Sequence, residues 1–108
     1  VVAMGEFGRT PKLGQITSGA GAEPDGRDHW PHCYSVFLAG AGVKAGTVFG
    51  AKNDAGGEVA ENEVTTPDWC ATIAHLAGLP WNETFFSPSG RPFKAGGKKG
   101  QAQFGLIA

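Results

Sequence analysis

The sequence predicts an α/β fold class with a mostly parallel central sheet, and three observations carry that prediction. Val1-Val2-Ala3-Met4 is a short apolar run stopped by Gly5, the form taken by a strand buried on both faces. Cys33 to Ala39 contains Tyr34, Val36, Phe37 and Leu38 and reads as a second buried strand. Thr66 to Gly78 is a capped amphipathic helix with an apolar stripe to lay on the sheet.

The elements follow in order. After the first strand comes Gly5-Glu6-Phe7-Gly8-Arg9-Thr10-Pro11, a polar loop at the strand's carboxyl end, where ligands of parallel sheets bind. Glu6 and Arg9 either stand at that edge or pair with each other and neighbouring loops. Lys12 to Arg27 is rich in Gly, Ala, Ser and Thr without helical or strand period, so it reads as a long excursion. It leads into Gly26-Arg27-Asp28-His29-Trp30-Pro31-His32, the densest chemistry in the chain, which runs directly into the second strand. The two polar loops are expected to share one site.

Further on, Gly40-Ala41-Gly42 ends the second strand, and Gly46 and Gly50 bracket a short strand or edge element at Thr47-Val48-Phe49. Lys52 to Glu63 is a polar turn region. In the helix, Thr66 serves as N-cap, Pro67 suits the first helical position and Asp68 opposes the positive end of the dipole. Trp69, Ile73, Leu76 and Ala77 form the stripe, His75 lies off it, and Gly78 with Pro80 marks the stop. Trp81 to Phe93 is aromatic on both sides of Pro88-Ser89-Gly90-Arg91-Pro92, which is turn chemistry for a small hairpin or an irregular cap. Residues 94–108 read as a Gly- and Lys-rich tail after a domain of residues 1–93, with Phe104, Leu106 and Ile107 available to pin its end.

Bulk properties exclude several classes of function. At 108 residues the chain has room for one domain with its own core. Nine basic and ten acidic side chains leave a net charge of −1, so charge selects neither nucleic acid nor an anionic membrane as partner. Two cysteines, Cys33 and Cys70, exclude a disulfide framework and read as small buried hydrophobes, with a single bridge as the alternative. No apolar run approaches the roughly 20 residues of a membrane-spanning helix. The glycines do not have P-loop spacing. The chain opens inside an apparent strand without an initiator methionine, as a sequence lacking its N-terminal part would.

The Asp28-His29 pair allows two readings. It is either a hydrogen-bonded loop clamp or part of a metal site, and adjacent residues of an extended segment reach one ion only through a sharp turn. His32 joins His29 only if the backbone turns at Pro31. Zinc sites use three or four imidazole, thiolate or carboxylate ligands, so this stretch alone is incomplete. Trp30 reads as a packing anchor.

Five segments occur together in fixed order: Val2-Ala3-Met4-Gly5-Glu6-Phe7-Gly8-Arg9-Thr10-Pro11, Gly26-Arg27-Asp28-His29-Trp30-Pro31, Val48-Phe49-Gly50-Ala51, Thr66-Pro67-Asp68 with Ala71-Thr72-Ile73, and Gly90-Arg91-Pro92. In this combination, up to about Lys94, the chain resembles the C-terminal part of the sulfatase-like bacterial proteins of domain-of-unknown-function family 1501, related to the alkaline phosphatase superfamily. The resemblance implies an alkaline-phosphatase-like α/β/α fold with metal ligands at strand ends. It also implies that the nucleophile, a Ser, Thr or Cys-derived group, lies upstream of Val1. Members of that superfamily carry an Asp-His metal pair at a late strand end and a further histidine downstream. Here Glu6-Phe7 occupies the strand end and His29 matches the downstream histidine. Phe7 cannot ligate a metal.

Two functions follow from the resemblance. The first is a metal-dependent hydrolase of phosphate or sulfate esters, of which this chain alone is an incomplete part. Glu6 and His29 would bind a divalent zinc, calcium, magnesium or manganese ion, Asp28 would orient His29, and Arg9, Arg27 and His32 would support it or hold the anionic oxygen. The second is a non-catalytic sulfatase-like binding or structural module, favoured by Phe7. A bland alternative is a buried polar clamp between two loops. The resemblance implies export to the periplasm or the cell exterior.

Overall fold

The computed structural model describes residues 1–108 and divides them into two compact units, Val1–Leu38 with Gly50–Glu63, and Ala39–Phe49 with Val64–Ala108. Strands are two or three residues long and pair only as antiparallel two-stranded ribbons, and one 11-residue helix is present.

The first unit holds three ribbons. β1 (Val2–Ala3) pairs with β4 (Phe37–Leu38), β2 (Gly8–Arg9) with β3 (His29–Trp30), and β5 (Ala51–Lys52) with β6 (Val59–Glu61). The parallel sheet expected from the apolar runs is therefore absent, and the fold is not of the alkaline-phosphatase-like α/β/α kind. The two runs that read as buried parallel strands pair with each other instead, Val2 opposite Leu38 and Ala3 opposite Phe37. They are not buried: Val2 is 45% and Phe37 58% exposed. The physical reason is coverage. Parallel strands need helical crossovers that cover both faces, and the chain's one helix belongs to the other unit.

What is buried in the first unit is small, with two polar side chains, Thr10 and Asp28, beside Gly8, Cys33 and Gly57. Gly8 is required by a close chain crossing. A Cβ there would collide with the Cys33 carbonyl oxygen and stand 2.8 Å from the Tyr34 Cβ. Trp30, half-buried, ties to the third ribbon by donating its indole N–H to the Gly57 carbonyl at 2.7 Å.

The second unit is built on α1 (Thr66–Leu76). Its N-cap is Thr65, one residue before the expected Thr66. Thr65 and Asp68 form a reciprocal capping box, with Pro67 in the first turn. The buried face consists of Ala71, Thr72 and Ala74, whereas Trp69, Ile73 and Leu76 are half-buried and Ala77 is exposed. Small residues are buried because backbone, not a sheet, lies against them. A Cβ on Gly96 would stand 2.7 Å from the Ala71 Cβ. The Thr72 hydroxyl donates to the Asp68 carbonyl at 2.7 Å and accepts the Gln103 N–H at 2.9 Å. Asp68 accepts the Gln101 N–H at 2.9 Å. Residues 94–108 thus lie within this unit and are tied to the first turns of α1.

Of the two forms open to the turn around Pro88, a hairpin or an irregular cap, the chain takes the hairpin, β7 (Phe85–Phe86) against β8 (Pro92–Phe93). The expected element at Thr47-Val48-Phe49 is not a strand. Phe104–Leu106 forms a 3-10 turn, and Val43 bridges Ile107, which pins the chain end as its apolar residues suggested. Both cysteines are free, with Cys33 buried and Cys70 exposed. No helix is long and apolar enough to cross a membrane.

Candidate functional site

The site is built on the β2/β3 ribbon, whose register places Arg9 opposite His29 and Gly8 opposite Trp30. Side chains of a strand alternate between faces, so Arg9 and His29 share one face while Trp30 takes the other, against Gly57. Phe7 joins the first face. Its ring meets the His29 imidazole edge to face at 4.2 Å, and the Arg9 guanidinium carbon lies 5.9 Å from its centroid, within cation–π range.

The backbone beneath this face is locked by Asp28. Only 1% exposed, its carboxylate accepts the backbone N–H of Thr17 and of Ser18, both at 2.9 Å. The Ser18 hydroxyl and the His29 N–H, each at 2.7 Å, complete the set. Four donors fill the roughly four acceptor positions of a carboxylate. The Thr17 N–H, then the Ser18 hydroxyl, the His29 N–H and the Ser18 N–H favour the charged form over the opposing effect of burial, holding the carboxyl well below the usual range. Fully buried Thr10 continues the clamp: its N–H donates to the Asp28 carbonyl, and its hydroxyl accepts the Asp28 N–H at 3.1 Å. Thr17 closes it by donating its hydroxyl to the His29 carbonyl at 2.5 Å.

The residues singled out in sequence separate into roles. Arg9 and His29 meet on the ribbon face. Asp28 touches His29 through its backbone N–H. Arg27 donates to the Thr10 carbonyl at 2.7 Å and so braces the clamp. His32 packs its ring on Trp30 at 4.8 Å, and Glu6 sits exposed in a bend. The residues that sequence reasoning passed over are Thr10, Thr17 and Ser18. A buried aspartate needs donors, and the adjacent Thr17-Ser18 of the excursion just before it was their natural source.

A divalent metal needs more protein ligands than this arrangement supplies. No group of three or more His, Cys, Asp or Glu side chains in the chain could hold a metal ion, and the Asp28 oxygens are already filled. Glu6 and His29 would be a partial set at most, so the residues present do not fit a metal centre by themselves.

The family model described as "Protein of unknown function (DUF1501)" matches residues 1–103. The chain belongs to the DUF1501 family. No curated protein and no solved structure matches it significantly. In this DUF1501 chain the ribbon face carries a forked cationic donor, an imidazole and an aromatic ring, all on a backbone fixed by a saturated carboxylate. The Arg9 guanidinium and the His29 ring nitrogens have no protein hydrogen-bond partner, and their recorded contacts are with Phe7. Such a face can donate hydrogen bonds to an oxyanion.

Proposed function

We propose that this DUF1501 chain is an anion-recognition module whose Arg9–His29 face binds the phosphate or sulfate group of an ester. The observation that carries the reading is the facing of Arg9 and His29 across the β2/β3 register, on a ribbon held by Asp28. Arg9 presents parallel N–H donors to two oxygens, His29 supplies a further donor, and Phe7 offers an apolar wall to the ester's organic part. The choice of phosphate and sulfate esters rests on the resemblance of the motif set to sulfatase-like proteins. Titration of the chain with phenyl phosphate and, separately, phenyl sulfate, followed by amide chemical shifts, tests it. Shifts concentrated at residues 7–9 and 29, and lost in both Arg9→Gln and His29→Gln, are expected. Equal binding by both variants would remove the proposal.

Metal-dependent hydrolysis of the same esters is a second reading, favoured by the uncommitted His29 ring. Its test is release of nitrophenolate from p-nitrophenyl phosphate or sulfate with added divalent metal. Turnover that disappears in His29→Gln supports hydrolysis, and turnover that is unchanged in that variant counts against it.

A further inference from the structure

The second unit carries a cationic cleft that the ribbon site does not use. It measures about 330 Å³ and is lined by Thr84, Arg91, Phe93, Lys94 and Lys98, together with Pro92 and Gly97. Three cations line it and no carboxylate does. Neither the Arg91 guanidinium nor the ammonium groups of Lys94 and Lys98 has a protein partner. Unpaired like charges lining one cleft repel one another and are a standing attraction for an anion.

The walls are held in place from behind. On one side the β7/β8 hairpin is closed by Ser87, whose N–H donates to the Arg91 carbonyl at 2.9 Å and whose hydroxyl accepts the Arg91 N–H at 3.1 Å. On the other side Gly97 donates to the Lys94 carbonyl at 3.0 Å, closing a turn over residues 94–97 that Lys98 directly follows. Gly96, inside that turn, is buried against Ala71 of α1 at a distance that no side chain could occupy. The cations therefore project from a fixed backbone.

We infer that this cleft binds a small phosphate or sulfate monoester, with the oxyanion held by Arg91, Lys94 and Lys98 and a single ring of the ligand lying on Phe93. The volume lies at the small end of ligand pockets. Its apolar lining residues, Phe93 and Pro92, separate such a ligand from a bare ion, and Thr84 adds a hydroxyl donor.

The test uses the whole chain and three probes: phenyl phosphate, phenyl sulfate and inorganic phosphate. Amide shifts at residues 84 and 91–98 are expected with at least one ester, and whichever ester produces them identifies the oxyanion. The Arg91→Gln/Lys94→Gln/Lys98→Gln variant is expected to lose about tenfold or more in affinity, as charge-assisted bonds are removed. Phe93→Ala is expected to weaken phenyl phosphate while leaving inorganic phosphate unchanged. Lys99→Gln, next to the cleft but not lining it, serves as the control and is expected to bind as the unaltered chain does. If the triple variant loses its native amide spectrum, Lys98→Gln alone is read in its place and is expected to weaken the ester. The inference is overturned if neither ester moves these amides, if the folded cation variants bind unchanged, or if Lys99→Gln weakens binding as much as Lys98→Gln. Arg9→Gln leaves this cleft intact, so the two anion sites are separable.

Discussion

Asp28 and Ser18 are joined twice: the Ser18 backbone N–H and its hydroxyl each donate to the Asp28 carboxylate, at 2.9 and 2.7 Å, across ten positions of chain. These two hydrogen bonds, with those from Thr17 and His29, convert a glycine-rich excursion into the support for the Arg9–His29 face. Four predictions test this arrangement and that of the second unit.

The clamp makes folding sensitive to acid. The Asp28 carboxyl is held below its ordinary value of 3.8 in the folded chain, so below that pH the unfolded chain binds more protons than the folded one. Its stabilisation is fully present above pH 4 or so and is lost as pH falls through the unfolded value toward the lower folded one. Asp68 adds in the same direction. Burial raises its carboxyl, but the hydrogen bonds from Gln101 and Thr65 together outweigh it. Denaturant midpoints measured from pH 7 to pH 2 are expected to fall below pH 4, and less steeply in Asp28→Asn. A midpoint independent of pH in the unaltered chain would contradict the clamp.

Asp28→Asn is also expected to lower stability at neutral pH. An amide presents one oxygen and an NH2 group to four donors, so at least one donor faces a donor. Amide hydrogen exchange at Thr17 and Ser18 is expected to accelerate selectively, and unchanged protection there would show that the excursion is held by something else.

Gly8→Ala is expected to destabilise by about 1–3 kcal/mol, the usual cost of forcing atoms into a filled site. The added methyl would meet the Cys33 carbonyl oxygen, the Tyr34 Cβ and, at 3.0 Å, the Trp30 carbonyl oxygen, none of which is a flexible side-chain end. Thermal melts of the variant beside Gly5→Ala, a position with one neighbouring atom at 3.2 Å, separate the crossing from a general effect of adding a methyl.

In the second unit, Thr72→Val removes a buried hydroxyl that accepts the Gln103 N–H and is expected to cost about 1–3 kcal/mol by leaving that donor without its partner. Thr65→Ala removes the N-cap acceptor and is expected to cost about 1 kcal/mol. Helical ellipticity at partial denaturation is expected to report both losses. If Thr72→Val is neutral, the anchoring of residues 101–103 to α1 is not a stabilising contact.

Signals confined to neighbouring residues could be read in advance. The helix was legible because Pro67, Asp68 and Gly78 act within a turn of where they stand, and the turn at Pro88-Ser89-Gly90 because it bends the chain locally, whereas the pairing that makes it a hairpin rather than an irregular cap was not. The shift of the N-cap from Thr66 to Thr65 shows the limit of such reading, since two adjacent threonines offer the same hydroxyl. The buried stripe was misread for a different reason. Trp69, Ile73 and Leu76 have helical spacing, but the neighbour of α1 is glycine backbone, which admits only small side chains.

The sequence by itself determined the positions of α1 and of the turn at Pro88–Pro92, the concentration of polar groups at Glu6–Thr10 and Arg27–His32, and the match to the DUF1501 family. Only the tertiary structure decided that the apolar runs at Val1 and Val36 form an antiparallel ribbon rather than a parallel sheet, and that Arg9 faces His29 while Asp28 faces Ser18. The physical reason lies in the range of the forces. Caps and turns depend on dihedral preferences and hydrogen bonds a few residues apart, whereas strand pairing and the satisfaction of a buried carboxylate depend on partners that chain folding alone brings within 3 Å or so.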